Sequence, residues 1–336
     1  MQADTQRLLD HVARFAGRRV LVIGDVILDE YLYGQAERMS REAPIPVLEF
    51  THRELIPGGA ANPAANIARL GGKPVQVGVT GADAFADMLK RALHRRGIKP
   101  DGLVADPDRP TTTKTRIMAQ MGLRFPQQVA RLDHIDRKPI SGAIEEAVTR
   151  EIGIHSPEKD ALIVSDYLTG LLTSTVVEAT RQTGRAVGAL LTADAQGELD
   201  KYAGFDLVKC NAAEASAYIR RDLTSDAAFA EAGAEIVMRL DLRGGMLITR
   251  GSGGLTLVES NGAVAHLHAP HIEEVYDTVG AGDTALAVMT LGLLVGATYP
   301  EAAALANFAA GIVVGKVGNY APTRDELDAA IREWNR

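Results

Sequence analysis

The chain has a single cysteine, Cys210, among its 336 residues. That excludes an internal disulfide and any cysteine-based zinc cluster, and it suits a reducing compartment, so a cytoplasmic protein is expected. The eight histidines contain no His-x-x-x-His or His-Cys grouping, which argues against a catalytic zinc site. No Gly-x-x-x-x-Gly-Lys-Ser/Thr occurs, which argues against a P-loop fold. Gly24 runs straight into Asp25, so the first apolar run lacks the Gly-x-Gly-x-x-Gly of a dinucleotide oxidoreductase. Long apolar runs are missing too. The longest, Ala285 to Ala297, is too short to span a bilayer and reads as a buried helix. The first residues carry Asp4 and Asp10 and no apolar signal core. No block of Lys or Arg interleaves with aromatics, and 36 basic against 43 acidic side chains leave −7, so neither a nucleic-acid nor a membrane partner is expected.

What is present is alternation. Arg19–Gly24, Val75–Val79, Ala161–Ser165, Ala186–Leu191, Leu207–Cys210 and Met246–Thr249 read as buried strands. Helical patterns lie near 60–70, 83–96, 141–153, 173–183, 211–219 and 225–240. This predicts an α/β fold, a mostly parallel sheet covered by helices on both faces. Gly254–Val258 and Val264–His268 flank Ser260-Asn261-Gly262 as a hairpin, and helices near 281–295, 299–315 and 323–334 follow. Segments 30–50 and 111–133 have no clean helical period. They read as strands of a small second sheet, a candidate lid, or as two surface hairpins without function. No repeat, low-complexity tract or linker divides the chain, so residues 1–336 are expected to form one domain.

The densest chemistry lies in Asp277-Thr278-Val279-Gly280-Ala281-Gly282-Asp283, where an irregular segment turns into an apolar helix. Glycines let backbone N–H groups turn toward an anion, and the helix N-terminus adds unpaired donors and partial positive charge. Gly280, Ala281 and Gly282 can thus form an anion hole, and Asp283 can take a proton from an attacking hydroxyl. The plainer reading is a glycine-rich loop with Asp283 as a helix cap. Asp25 and Asp29, four apart after a strand, offer hydrogen-bond acceptors, Asp25 taken by itself being only a strand-end turn residue, and Gly58-Gly59 allows close backbone approach. Lys114, Arg116 and Arg131 on the lid segment either bind a phosphate or are solvated charges. Asp166 either contacts a ligand or caps its segment.

Gly58-Gly59-Ala60-Ala61-Asn62-Pro63-Ala64-Ala65-Asn66 with Leu70-Gly71, followed in order by Asp277–Asp283, resembles the two signatures of the ribokinase-like (PfkB) sugar-kinase family, and the resemblance covers nearly the whole chain. It implies a three-layer α/β/α domain with a β lid, transferring the γ-phosphate of ATP to a sugar hydroxyl. It places Asp25, Asp29, Gly58, Gly59 and Asn62 at the sugar. It places Asn211 and Glu214, of Asn-x-x-Glu, at magnesium through waters and at the nucleotide phosphates. Thr249, Gly251 and Gly254 would lie along the nucleotide, and Asn307 with Gly311 at the adenine. The family also implies K+ near Asp277–Gly280 and Gly315–Gly318. A homodimer is expected through lids that hide Ile45, Val47, Leu48, Phe50, Ile117 and Met118.

Within the family, Gly24–Tyr31, Arg38–Val47, Thr113–Arg116, Arg131–Asp133, Ser165–Tyr167 and Gly311–Lys316 look like the D-glycero-β-D-manno-heptose 7-phosphate kinases. That resemblance implies phosphorylation of the anomeric hydroxyl to the 1,7-bisphosphate. Two departures leave other sugars open, ribokinase or fructokinase type, along with a non-catalytic sugar or nucleotide sensor. Leu168-Thr169-Gly170 stands where Lys-Gly is usual after Asp-Tyr-Ala, and Asp194-Ala195-Gln196 where Asp-Pro-Lys is usual. The chain stops soon after the kinase pattern, so the nucleotidyltransferase half of bifunctional relatives is not expected.

Overall fold

Short apolar β-runs feed helices along most of the chain, and the computed structural model describes residues 4–121, 126–270, 278–316 and 318–333 of it. The strands are β1 (Arg19–Gly24), β2 (Val26–Met39), β3 (Pro46–Gly59), β4 (Lys73–Gly81), β5 (Lys99–Asp106), β6 (Thr113–Gln120), β7 (Gln127–His134), β8 (Ala161–Ser165), β9 (Leu190–Asp194), β10 (Leu207–Asn211), β11 (Gly245–Thr249), β12 (Leu255–Glu259) and β13 (Val264–Leu267). The helices are α1 (Thr5–Ala13), α2 (Ala61–Arg69), α3 (Ala84–Arg95), α4 (Gly142–His155), α5 (Ser174–Val187), α6 (Ala212–Ile219), α7 (Asp226–Arg239), α8 (Ala281–Leu294), α9 (Tyr299–Val314) and α10 (Arg324–Glu333).

The main sheet runs β13-β12-β11-β10-β9-β8-β1-β4-β5, parallel except for the β11-β12-β13 end. Its central strand explains the two-sided burial. Val20 and Val22 of β1 join one core with α1, α2, α8 and α9, while Leu21 and Ile23 join the other with α4, α5 and α7. A strand buried on both faces must be apolar throughout, as Arg19–Gly24 nearly is. The second sheet, β3-β2-β6-β7, pairs β2 with β3 over almost their full length. The inner ends of both strands are buried and their outer ends exposed, so this sheet projects from the main body.

Three local expectations shift. The strand read at Ala186–Leu191 begins only at Leu190, because α5 continues to Val187 and ends on Gly188 at φ 70, a left-handed position that favours glycine. Strand β5 and helix α1 were not anticipated: β5 alternates around a polar Lys-Pro-Asp start, and α1 is held by an Asp4 cap and an apolar stripe of Leu8, Leu9 and Val12. The lid strands are longer than their segments, reaching Val26 and Gly59, and 122–125 fall outside the described residues. Among the described residues no helix is long and apolar enough to cross a membrane.

Candidate active site

The two glycine motifs, far apart in sequence, meet at one carboxylate. Gly280 adopts φ 82 as the residue before α8, and Asp283 follows in the first turn, only 5% exposed. Asn62 of α2 donates its amide to Asp283 Oδ2 at 2.9 Å across a separation of 221 residues. Tyr167, just after β8, donates its phenol to both Asp283 oxygens at 2.8 Å. Behind them Thr284 donates to Asn66 Oδ1 at 3.0 Å, and Asn66 donates to the Asn62 carbonyl at 3.0 Å, locking α2 against α8. A side chain at Gly280 would come within 2.5 Å of the Asn62 amide, so glycine keeps this seam closed.

Burial pushes the Asp283 carboxyl up, and neighbouring Asp194 pushes it the same way. Lys209 and the Asn62 and Tyr167 hydrogen bonds pull against them, leaving it at about 6. Lys209 lies on β10, with its ammonium 2.9 and 2.8 Å from the two oxygens of Asp194 on β9. Both residues are buried. The Lys209 Nζ would lie only 2.6 Å from a β-carbon placed on Gly282. The ion pair therefore sits directly beside the first turn of α8.

On the lid side, Asp29 is 3% exposed and accepts from Arg116 at 2.5 Å and from Asn319 Nδ2 at 2.6 Å. A side chain on Gly58 would overlap the Asp29 carboxylate, and Gly59, at φ 59, lets β3 turn into α2. Lys114 projects from β6 to place its ammonium 5.8 Å over the Tyr167 ring, and burial lowers its pKa. Arg116 is neutralised by Asp29 and Arg131 by Asp133 at 2.9 Å, so Lys114 is the lid cation of the three without an ion-pair partner among the described residues. Arg131 is half exposed and stands opposite Arg116 in the β6–β7 register, its charge acting on Lys114 as well as on Asp133.

Asp25 and Asp166 have other partners. Asp25 accepts from the backbone N–H groups of Tyr167, Thr169 and Leu171 at 2.9, 3.2 and 3.2 Å. Asp166 accepts from Leu168 N at 2.8 Å and from the Tyr202 phenol at 2.7 Å, and burial raises its pKa. The two carboxylates thus hold the loop that aims Tyr167 at Asp283.

At the far side, Asn211 caps α6 in a reciprocal pair with Glu214: Glu214 N donates to Asn211 Oδ1 at 2.9 Å, and Asn211 N donates to Glu214 Oε2 at 2.7 Å. The Oε1 atom of Glu214 has no hydrogen-bond partner among the described residues, and burial raises the pKa of this carboxyl. One free hard oxygen beside the Lys209–Asp194 pair fits Mg2+, which keeps most of its waters and takes few protein ligands. Thr249 donates to the Cys210 carbonyl at 3.4 Å. Gly251 and Gly254 take φ 58 and 81 in the turn after β11, and Asn307 on α9 donates to the His268 carbonyl at 2.7 Å. Asp277 lies outside the described residues, as does residue 317, so the loops expected near K+ are described only in part.

The pfkB family of carbohydrate kinases matches the chain over residues 18–326. The chain belongs to that family. Relatives include the bifunctional protein HldE of Citrifermentans bemidjiense, 37% identical over 93% of this chain and 63% of its own length. HldE of Caulobacter vibrioides is 38% identical over 96% of this chain and 65% of its own length. The chain thus spans less than two thirds of these relatives. Among solved structures, Arabidopsis thaliana ribokinase complexed with ribose and ATP matches with a TM-score of 0.70 at 18% identity, covering 94% of this chain and 99% of its own. Phosphofructokinase-2 from Escherichia coli, in complex with substrates and products, matches at 0.75 and 20%, covering 96% and 100%. The ribokinase-like fold, with its mostly parallel sheet and smaller second sheet, is therefore that of this chain.

Four residues around the signature carboxylates were not singled out from sequence: Tyr167, Lys209, Asp194 and Asn319. Tyr167 and Asp194 stood inside quoted motifs but carried no assigned role. Lys209, two residues before Asn211, gave no signal, because a lysine in an apolar strand reads as an edge or a snorkelling side chain. Its ammonium nevertheless reaches Asp194, next to the position where the expected Asp-Pro-Lys lysine is replaced by Gln196.

Proposed function

We propose that the chain works as one kinase domain, residues 1–336 with the lid included, and transfers the γ-phosphate of ATP to the anomeric hydroxyl of D-glycero-β-D-manno-heptose 7-phosphate. The observation that carries the phosphotransfer reading is Asp283, a buried carboxylate at a glycine-rich helix N-terminus with its charge held by Asn62 and Tyr167. In this reading Asp283 takes the proton of the sugar hydroxyl, and the amides of Gly280, Ala281 and Gly282 hold the transferred phosphoryl. Asp29 binds sugar hydroxyls, with Gly58, Gly59 and Asn62 shaping the wall. Asp25 and Asp166 act by fixing the Tyr167 loop.

Thr249, Gly251, Gly254 and Asn307 line the nucleotide. Glu214 and Asn211 would hold Mg2+ through waters, and the ion would supply positive charge against the nucleotide phosphates. Support for the heptose phosphate comes from the HldE relatives, from the segments shared with heptose 7-phosphate kinases, and from Lys114, a cation free to meet a substrate phosphate. Thr169, in place of the usual lysine, favours the second reading, a kinase of another sugar.

We also propose a cytoplasmic homodimer that pairs the lids across Ile45, Phe50 and Leu132, which are 57%, 68% and 68% exposed. Phe50→Glu then gives a monomer by size exclusion. ADP release with Mg-ATP, across free sugars and sugar phosphates, tests the reaction. Preference for the heptose 7-phosphate supports it, and preference for a free sugar replaces it with the second reading. No ADP release with any sugar would leave a sensor. The Asp283→Asn variant is expected to lose about 10²–10⁴-fold in turnover while still binding ATP.

A further inference from the structure

The Lys209–Asp194 pair has no account in fold stability alone. A buried ion pair is typically no better than well-packed apolar residues, and often worse. This one also sets an ammonium against the N-terminal turn of α8, where the helix dipole is already positive. The placement makes sense only in relation to the groups it faces. Asp283 accepts hydrogen bonds from Asn62 of α2 and Tyr167 of the loop after β8, and the charges of Asp194 on β9 and of Lys209 on β10, beside Gly282, act on it through space. Asp29 of β2 and Lys114 of β6 act one layer further out, on Tyr167. Of the charged groups acting directly on Asp283, Asp194 is its like charge and Lys209 is its counter-charge.

We infer that Lys209 is a positioning residue for Asp283: held on Asp194 against Gly282, its ammonium keeps the candidate base ionised inside a buried site. The inference rests on the reading of Asp283 as the base. Asp194 alone would drive Asp283 toward its protonated form, and Lys209 alone would leave an unmatched buried cation at a helix N-terminus. Together they fix an ammonium at one place and cancel most of its cost. The glycine at 282 follows from the same arrangement, since any side chain there would push the ammonium away.

The test is a titration of the Asp283 carboxyl by 13C NMR in the unliganded, Mg-free protein, its resonance assigned with Asp283→Asn. The pH profile of kcat/KM is read beside it. Lys209→Met is expected to move the Asp283 midpoint and the acid limb up by about one pH unit or more, and Asp194→Asn to move both down. Lys209→Arg keeps the charge and is expected to stay near wild type. Opposite shifts establish the role. Shifts of the same sign, or none, overturn it, even if Lys209→Met melts earlier, because a purely structural lysine changes stability without moving the limb. If Lys209→Met does not fold, Lys209→Gln, which keeps a hydrogen-bond donor for Asp194, decides in its place: an upward shift upholds the role and an unmoved midpoint ends it. The base reading fails separately, by Asp283→Asn retaining turnover.

Discussion

Tyr167 donates its phenol to both carboxylate oxygens of Asp283, at 2.8 Å each. The phenol stays protonated, because burial and the Asp283 charge raise its pKa well above the ordinary value. A sugar hydroxyl that gives Asp283 its proton has to approach the same two oxygens. Tyr167 therefore both steadies the base and competes with the acceptor. Tyr167→Phe removes a hydrogen bond that holds the carboxylate charge, so the acid limb of kcat/KM should rise from about 6 by roughly one unit. An unmoved limb would show that the phenol does not reach Asp283 in the working enzyme.

Asp283 should also cost the fold stability near neutral pH. Its folded pKa of about 6 lies above the ordinary 3.8, so the folded state holds the proton more tightly. The contribution is fully present below 3.8 and is lost as pH rises through about 6. Asp283→Asn carries no charge to lose. It should melt about 3 °C or more above the wild type at pH 8, with the gap closing toward pH 4. Equal melting points at pH 8 would mean that Lys209, Asn62 and Tyr167 already offset the burial in full.

The pair of Asp29 and Arg116 makes a different demand. Asp29 is buried, and Arg116 neutralises it from the neighbouring strand of the lid sheet at 2.5 Å. Arg116→Met leaves a buried carboxylate with only the Asn319 amide, which should cost about 3 kcal/mol in urea unfolding. Asp29→Asn removes the charge and one of the two acceptor oxygens, so only one of the Arg116 and Asn319 donors keeps its partner. It should raise the sugar KM by about tenfold and leave the ATP KM alone. A matching rise in both constants would place Asp29 in the lid's architecture and not at the sugar.

The elements that could be read in advance are those whose evidence is local. β1 is apolar at nearly every position, and Gly280-Ala281-Gly282-Asp283 announces a turn into a helix, so strand and motif alike stood where expected. The meeting of Asn62 with Asp283 was implied only by family resemblance, because 221 residues separate them and nothing in either motif names its partner. Asp25 reads as a ligand carboxylate in sequence, yet the fold gives it three backbone N–H groups, which sequence spacing cannot reveal. Lys209 is the reverse case. Leu207, Val208 and Cys210 around it on the strand are apolar, and its counter-ion comes from the adjacent strand through a register that local pattern does not encode.

Glu214 separates a helix cap from a metal ligand. Its Oε2 closes the capping box with Asn211, and its Oε1 has no hydrogen-bond partner among the described residues. Glutamine closes the same box, since the cap needs only an oxygen that accepts from the Asn211 N–H. Water-mediated magnesium binding needs the carboxylate charge as well. Glu214→Gln should therefore melt like the wild type while its apparent Mg2+ affinity, read from ADP release against Mg2+ concentration, falls about tenfold or more. Asn211→Ala should do the opposite in part, losing about 1 kcal/mol of stability through the cap. If Glu214→Gln keeps its Mg2+ dependence, the pair is a helix start and nothing else, and the ion is held by the remaining carboxylates and the nucleotide.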